Sequence, residues 1–141
     1  MTGYQVVIIG GGPAGLTAGL YASRAGLKSL VLERGIYGGQ IVNAQKVENY
    51  PGFPEGVSGL ELGELMYRQA TRYGLETLSG EVTGIGSGPP YSISTSEWDI
   101  EAQTVIIAAG SNPQKLGVPG EERFLGHGVS YCATCDGFFF H

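Results

Sequence analysis

The sequence is poor in the features that specialised surfaces and compartments demand. Of 141 residues only eight are Lys or Arg against thirteen Asp or Glu, for a formal net charge of −5. No basic run is present, and acids dominate from Gln45 to Glu101. A nucleic-acid footprint is therefore not expected. No apolar run approaches the roughly 20 residues of a membrane-spanning helix. Met1 to Gly10 lacks the basic start and long apolar stretch of a signal peptide, so a cytoplasmic setting without membrane contact is expected. Only two cysteines are present, too few for a disulfide scaffold, and they lie together as Cys132-x-x-Cys135. In a reducing compartment that spacing points to redox or metal chemistry rather than to a structural staple. The 25 glycines follow no period, which excludes collagen-like and low-complexity chains, and there is no internal repeat. The length suits one domain with a core and is short for a complete two-domain nucleotide enzyme.

What is present is organised around Tyr4 to Arg24, YQVVIIGGGPAGLTAGLYASR. Val6 to Ile9 is an unbroken β-branched run, suited to a strand covered by helices on both faces of a parallel sheet. Gly10, Gly12 and Gly15 then satisfy GxGxxG, with Pro13 at a helix start where its missing N–H costs little. In such a turn the first glycine permits the tight bend, the second lets backbone approach a pyrophosphate, and the third lets the helix lie close on the strand. The helix N-terminus adds N–H groups and a positive dipole end. A second strand, Ser29 to Glu33, ends in a carboxylate 18 residues beyond Gly15, about where a dinucleotide fold places the acid for the ribose hydroxyls. The competing reading is a glycine-rich turn in an ordinary α/β protein, with Glu33 a solvated strand-end charge.

Further on, Arg34 to Gln40 reads as a loop too glycine-rich to be helical, whose paired glycines permit close approach of a ligand. Val47 to Pro54 is proline-broken yet carries Tyr50 and Phe53, which suggests that it lines something. Ser58 or Gly59 caps an expected helix with apolar positions Leu60, Leu62, Leu65, Met66, Ala70 and Tyr73, closed by Gly74. Leu75 to Leu78 suits an edge strand. Glu81 to Ile85, Tyr91 to Ser94 and Trp98 to Ala102 read as a three-stranded antiparallel meander inserted before a buried parallel strand, Thr104 to Ala108. Leu116 to Gly120 reads as a connector, and Gly126 to Gly128 leads into the cysteine motif.

Two cysteines at this spacing can close a small disulfide ring, one thiolate attacking and the other resolving. Asp136 follows directly and could handle a proton, or could be a turn residue before Gly137. Zinc is the rival, with His127, Cys132, Cys135 and His141 as possible ligands, although their spacing fits no common knuckle. His127 otherwise reads as an exposed loop residue, and Tyr131 and Phe138 to Phe140 as packing.

Taken together, IIGGGPAGLTAGLYASRAG, LVLERGIYGGQI, VENYPGFPEGVSG, VIIAAGSNPQKLGVPGE and GVSYCATCDGFFF resemble the amino-terminal part of the low-molecular-weight thioredoxin reductases, within the two-dinucleotide-fold flavoprotein disulfide reductases. CATCDG is the most discriminating of these segments. The resemblance implies a doubly wound, Rossmann-like α/β FAD-binding domain over 1–115 with the antiparallel insert, and a connector and start of a nicotinamide domain over 116–141. It implies FAD on Gly10, Gly12, Pro13, Ala14 and Gly15, with Glu33 at the adenosine ribose and Arg34 beside it. It further implies Gly39, Gln40 and Asn49 near the flavin or its tail, Val82 at the adenine through backbone, and Ala109 and Gly110 at the end of the last FAD-domain strand. Cys135 would face the flavin, Cys132 would exchange with the protein substrate, and Asp136 would be the proton-handling acid. The implied electron path runs from NADPH through FAD to the cysteine pair and on to thioredoxin or a thioredoxin-like protein, in a homodimeric parent. A related reductase serving a peroxidase or reduced by ferredoxin, or a non-catalytic nucleotide-binding module, are the alternatives.

The chain departs from the family pattern twice. Ala109 stands where threonine is usual before Gly110. The sequence also stops at His141, before the second glycine-rich turn and before the returning segment that completes the flavin site. The 141-residue chain alone is accordingly expected to lack nicotinamide-driven activity.

Overall fold

In the computed structural model, which describes residues 3–133 and Gly137, the central strand β1 spans Gly3–Ile9, pairing with one neighbour from Gly3 to Ile9 and with the other from Val6 to Ile9. Val7 and Ile8 are completely buried, and each such side chain contributes roughly 1.5–3 kcal/mol relative to exposure. After β1 come α1 (Pro13–Arg24), β2 (Ser29–Glu33), a 3-10 turn (Gly39–Asn43), α2 (Gly59–Thr71), β3 (Glu76–Ser79), β4 (Val82–Ile85), β5 (Tyr91–Thr95) and β6 (Asp99–Ile107). These strands form one six-stranded sheet in the order β3-β2-β1-β6-β5-β4. β3, β2, β1 and β6 run parallel, while β5 and β4 add antiparallel to the far side. The expected edge strand is therefore β3.

The insert is built differently from the separate meander expected. Its third strand and the following parallel strand are one continuous element, β6, which pairs with β1 from Glu101 to Ile107 and with β5 from Asp99 to Ala102. Gln103, between the two expected strands, is no breaker, so nothing interrupts the ladder. Beyond Ala102, β6 has no partner on its β5 side among the described residues, and there Ile106 and Ile107 are 37% and 70% exposed.

Alternation along the strands splits the core into two layers. Val6, Ile8 and Val31 face α1 and α2, where they meet Leu16, Ala70 and Leu75. Val7, Leu30 and Leu32 face the other way, where they share a cluster with Tyr4 and are covered by Ile93, Ile100 and Val82 of the antiparallel ribbon. Among the described residues, the helical cover expected on both faces of β1 is thus present on one, and the ribbon covers the other. Gly19 lets α1 approach: a Cβ there would lie 2.5 Å from Leu75 and 3.2 Å from Val31. α2 is capped as the sequence suggested, the Ser58 hydroxyl accepting the Glu61 N–H at 3.2 Å. The 3-10 turn overturns the expectation that Gly39-Gln40 is non-helical. Gly38 at φ 107 starts it, and Val42 packs against Gly63 of α2 so closely that a Cβ on Gly63 would lie 2.9 Å away.

The chain divides into two compact units, Met1–Gly110 and Ser111–His141. In the second, an isolated bridge joins Leu125 to Val129, and the turn over 117–124 is held by Glu121. No helix among the described residues is long and apolar enough to cross a membrane.

Candidate functional site

The glycine turn lies at the carboxyl end of β1, where a parallel sheet places its ligands. Its three motif glycines are there for different reasons. Gly10 has φ 105, and a Cβ would lie 2.3 Å from the Ala108 carbonyl oxygen. Gly15 sits so close under the turn that a Cβ would lie 1.8 Å from the Gly10 carbonyl oxygen. Both are glycine because the fold requires it. Gly12 differs. Its φ of −73 is open to any residue, and a Cβ would meet only the Gly39 Cα at 3.8 Å. The protein leaves room at Gly12 that its own packing does not use, above a helix start with no side-chain cap. The orphan N–H groups of that first turn, including Ala14, are available to an external acceptor. Pro13 occupies the first helical position. This is a cradle that a Cβ would fill, and it fits a pyrophosphate.

Glu33 is no loose strand-end charge. Its Oε2 accepts the Gly11 N–H at 2.6 Å and its Oε1 accepts the Gly35 N–H at 2.7 Å. A carboxylate offers about four lone-pair directions, so two remain for hydroxyl donors. Tyr37 forms the wall behind the turn: a Cβ on Gly11 would lie 2.6 Å from its ring. Its hydroxyl is pushed above its ordinary pKa mainly by burial, and the ring packs against that of Tyr67 at 4.8 Å between centroids, tilted by 42°. The sequence reading missed Tyr37, since a lone tyrosine between glycines carries no pattern.

Other expected residues gather around this turn. Gly39 lies against Gly12, a Cβ on it falling 2.9 Å from the Gly12 Cα, and Gln40, exposed, continues the 3-10 turn. Gly80 donates to the Glu33 carbonyl at 2.9 Å, which brings the start of β4 and half-buried Val82 to the end of β2. Arg34 pairs with Glu81 across 3.1 Å of exposed surface. Ala109 follows β6 beside Gly10, its Cα 3.1 Å from where a Gly10 Cβ would be, and Gly110 turns away at φ 68. Asn49 is exposed in the loop closed by the Val47–Val57 bridge, where Tyr50 and Phe53 lie 6.1 Å apart.

Of the cysteine motif, Cys132 is described and is disulfide-bonded. Cys135, Asp136, Phe138 to Phe140 and His141 lie outside the described residues. His127 is exposed, as expected. Tyr131 is more than packing: it is 37% exposed, and its hydroxyl donates to the carboxylate of Glu121. Glu121, just beyond the connector Leu116 to Gly120 and not singled out in the sequence, is only 5% exposed and also accepts the Leu116 and Gly117 N–H groups at 2.9 and 2.7 Å. Those bonds, Tyr131 first, hold its carboxyl below the usual range. Among the described residues no group of three or more His, Cys, Asp and Glu side chains is placed to hold a metal ion.

Residues 4–141 match the family model of the pyridine nucleotide-disulphide oxidoreductases. The thioredoxin reductase of Bacillus subtilis (strain 168) is 49% identical over 97% of this chain, which spans 43% of that protein. Among solved structures, thioredoxin reductase from Streptococcus pyogenes MGAS5005 superposes with a TM-score of 0.85 at 45% identity, over 99% of this chain and 46% of its own. The enzyme from Lactococcus lactis gives 0.81 at 47% identity, over 98% of this chain and 46% of its own. The chain spans about half the length of the relatives it matches.

Proposed function

The chain belongs to the pyridine nucleotide-disulphide oxidoreductase family, and from that premise we propose that it forms the FAD-binding part, over 1–115, of a thioredoxin reductase, with 116–141 opening the nicotinamide domain. The open cradle at Gly12 carries this reading, because it is the one motif glycine whose absent side chain serves no contact within the protein. In the proposed complex, Gly12, Pro13, Ala14 and the start of α1 hold the pyrophosphate against the helix dipole. Glu33 keeps the turn in shape through Gly11 and accepts the ribose hydroxyls, with Arg34 and Val82 alongside. Gly39, Gln40, Asn49, Ala109 and Gly110 flank the flavin side. FAD, when bound, supplies the two-electron chemistry that links NADPH to a disulfide. Cys132 and Cys135 form that disulfide, a pairing supported by the bonded state of Cys132 in a chain with one other cysteine. Asp136 handles the proton, and Cys132 exchanges with thioredoxin or a thioredoxin-like protein. The parent is proposed to be a cytoplasmic homodimer that contacts neither membrane nor nucleic acid.

The test is FAD titration of the 141-residue chain and of Gly12→Ala, with thermal unfolding measured without flavin. The variant is expected to lose at least tenfold in FAD affinity while its unfolding changes by less than about 1 kcal/mol, the scale of a helix-cap substitution. Equal flavin binding by both proteins would refute the assignment of Gly12.

A further inference from the structure

Glu121 is the one described residue of the second unit that is buried. Its neighbour Glu122 shows what an ordinary acid does here: it is 80% exposed and pairs with Lys115 at 2.6 Å. Glu121 instead turns inward. The 117–120 turn carries its two glycines at φ 72 and 91, which bring the backbone N–H groups of Leu116 and Gly117 round to its carboxylate. The third partner comes from farther along the chain, the Tyr131 hydroxyl donating to Oε1. An ionised carboxylate, an acceptor at both oxygens, takes all three donors without presenting a proton of its own.

The residue after Tyr131 is Cys132. Its N–H donates to the Ser130 hydroxyl at 3.0 Å, and that hydroxyl also lies 3.3 Å from the Cys132 carbonyl. Upstream, Val129 is tied to Phe124 at 2.9 Å and Gly126 to Val129 at 2.9 Å. The approach to Cys132 is thus pinned by a backbone turn at one end and by Tyr131 on Glu121 at the other. We propose that Glu121 is a positioning residue for the redox cysteines, fixing the backbone at Cys132 through Tyr131. The inference rests on the redox reading of the pair. A cysteine held in place before its disulfide closes loses less chain entropy on closure, so the oxidised form is favoured. Releasing Tyr131 then makes the disulfide easier to reduce.

The experiment is equilibration of the 141-residue chain in graded glutathione buffers with thiol counting, for the wild type, Tyr131→Phe and Glu121→Gln. Tyr131→Phe keeps the ring and removes only the hydroxyl. Its disulfide is expected to be at least threefold easier to reduce, about 14 mV less negative at 29.6 mV per tenfold. Glu121→Gln is expected to move in the same direction, since an amide cannot accept all three donors. A Tyr131→Phe midpoint coincident with wild type overturns the proposal even if Glu121→Gln perturbs the fold. A wild-type chain with no reversible two-thiol transition would instead bring down the redox reading beneath it.

Discussion

The two units of the chain are stabilised by opposite means. Within Met1–Gly110 every fully buried large side chain is aliphatic, led by Ile8, Leu16, Leu32, Leu62 and Ile93; all but Leu62 belong to two layers on either side of one sheet, and Leu62 anchors a third cluster with Val47 and Val57. Within the described part of Ser111–His141 no hydrophobic side chain is buried, Leu116, Val118, Phe124 and Leu125 are about half exposed or more, and the one buried side chain is the carboxylate of Glu121. The first unit draws on non-directional burial, which scales with area and tolerates small displacements. The second draws on directed, charge-assisted hydrogen bonds, which fix a particular geometry with few residues and fail when one partner changes protonation. A cofactor-binding sheet needs the first kind of stability. A short segment that presents a cysteine is served by the second.

The largest effect that would break the comparison is expected at Gly15. Its added Cβ meets the Gly10 carbonyl at 1.8 Å, backbone against backbone, so Gly15→Ala must displace α1 from β1. A cost of about 3 kcal/mol or more is expected, at the upper end of overpacking, read as a lowered urea midpoint. An unchanged midpoint would mean that the turn is not as tight as described. Next comes Leu62→Ala, which opens a cavity among Val47, Val57 and Met66 and should cost about 2–5 kcal/mol in the same assay. A cost below about 1 kcal/mol would show that the loop cluster collapses onto the gap. Smaller still is Ser58→Ala, where loss of the cap on the Glu61 N–H should cost about 1 kcal/mol, with Ser58→Asp restoring it.

The smallest effect sharpens the contrast rather than breaking it. Because the folded carboxyl of Glu121 is depressed, its contribution is complete above the unfolded value of 4.5 and is lost as pH falls through the lower folded value. The Leu116 and Gly117 amide resonances should therefore titrate with a midpoint below 4.5. The Val7 and Val31 amides, in the apolar sheet, should not move over that range. A midpoint at or above 4.5 would remove the charge-assisted account of the second unit.

Much of this architecture was legible in the chain itself. The β-branched run, the glycine spacing, the proline at the helix start and the Ser58 cap each act within a few residues, so β1, α1 and α2 could be read where they stand. The CxxC motif and the long matching segments likewise carried the family. What the sequence could not carry was set by contacts between distant residues. Gln103 looks like a joint between two strands, but β1 runs beside it and makes β6 continuous. Gly10, Gly12 and Gly15 are alike in sequence, and only the position of Ala108, Gly39 and the turn itself separates two structural glycines from one that leaves space. Glu121 and Glu122 are adjacent and chemically identical, and only the curl of the 117–120 turn and the return of Tyr131 bury one and leave the other in water. Local propensity fixes conformation over single turns, whereas which donors converge on a group is decided only when the chain closes upon itself.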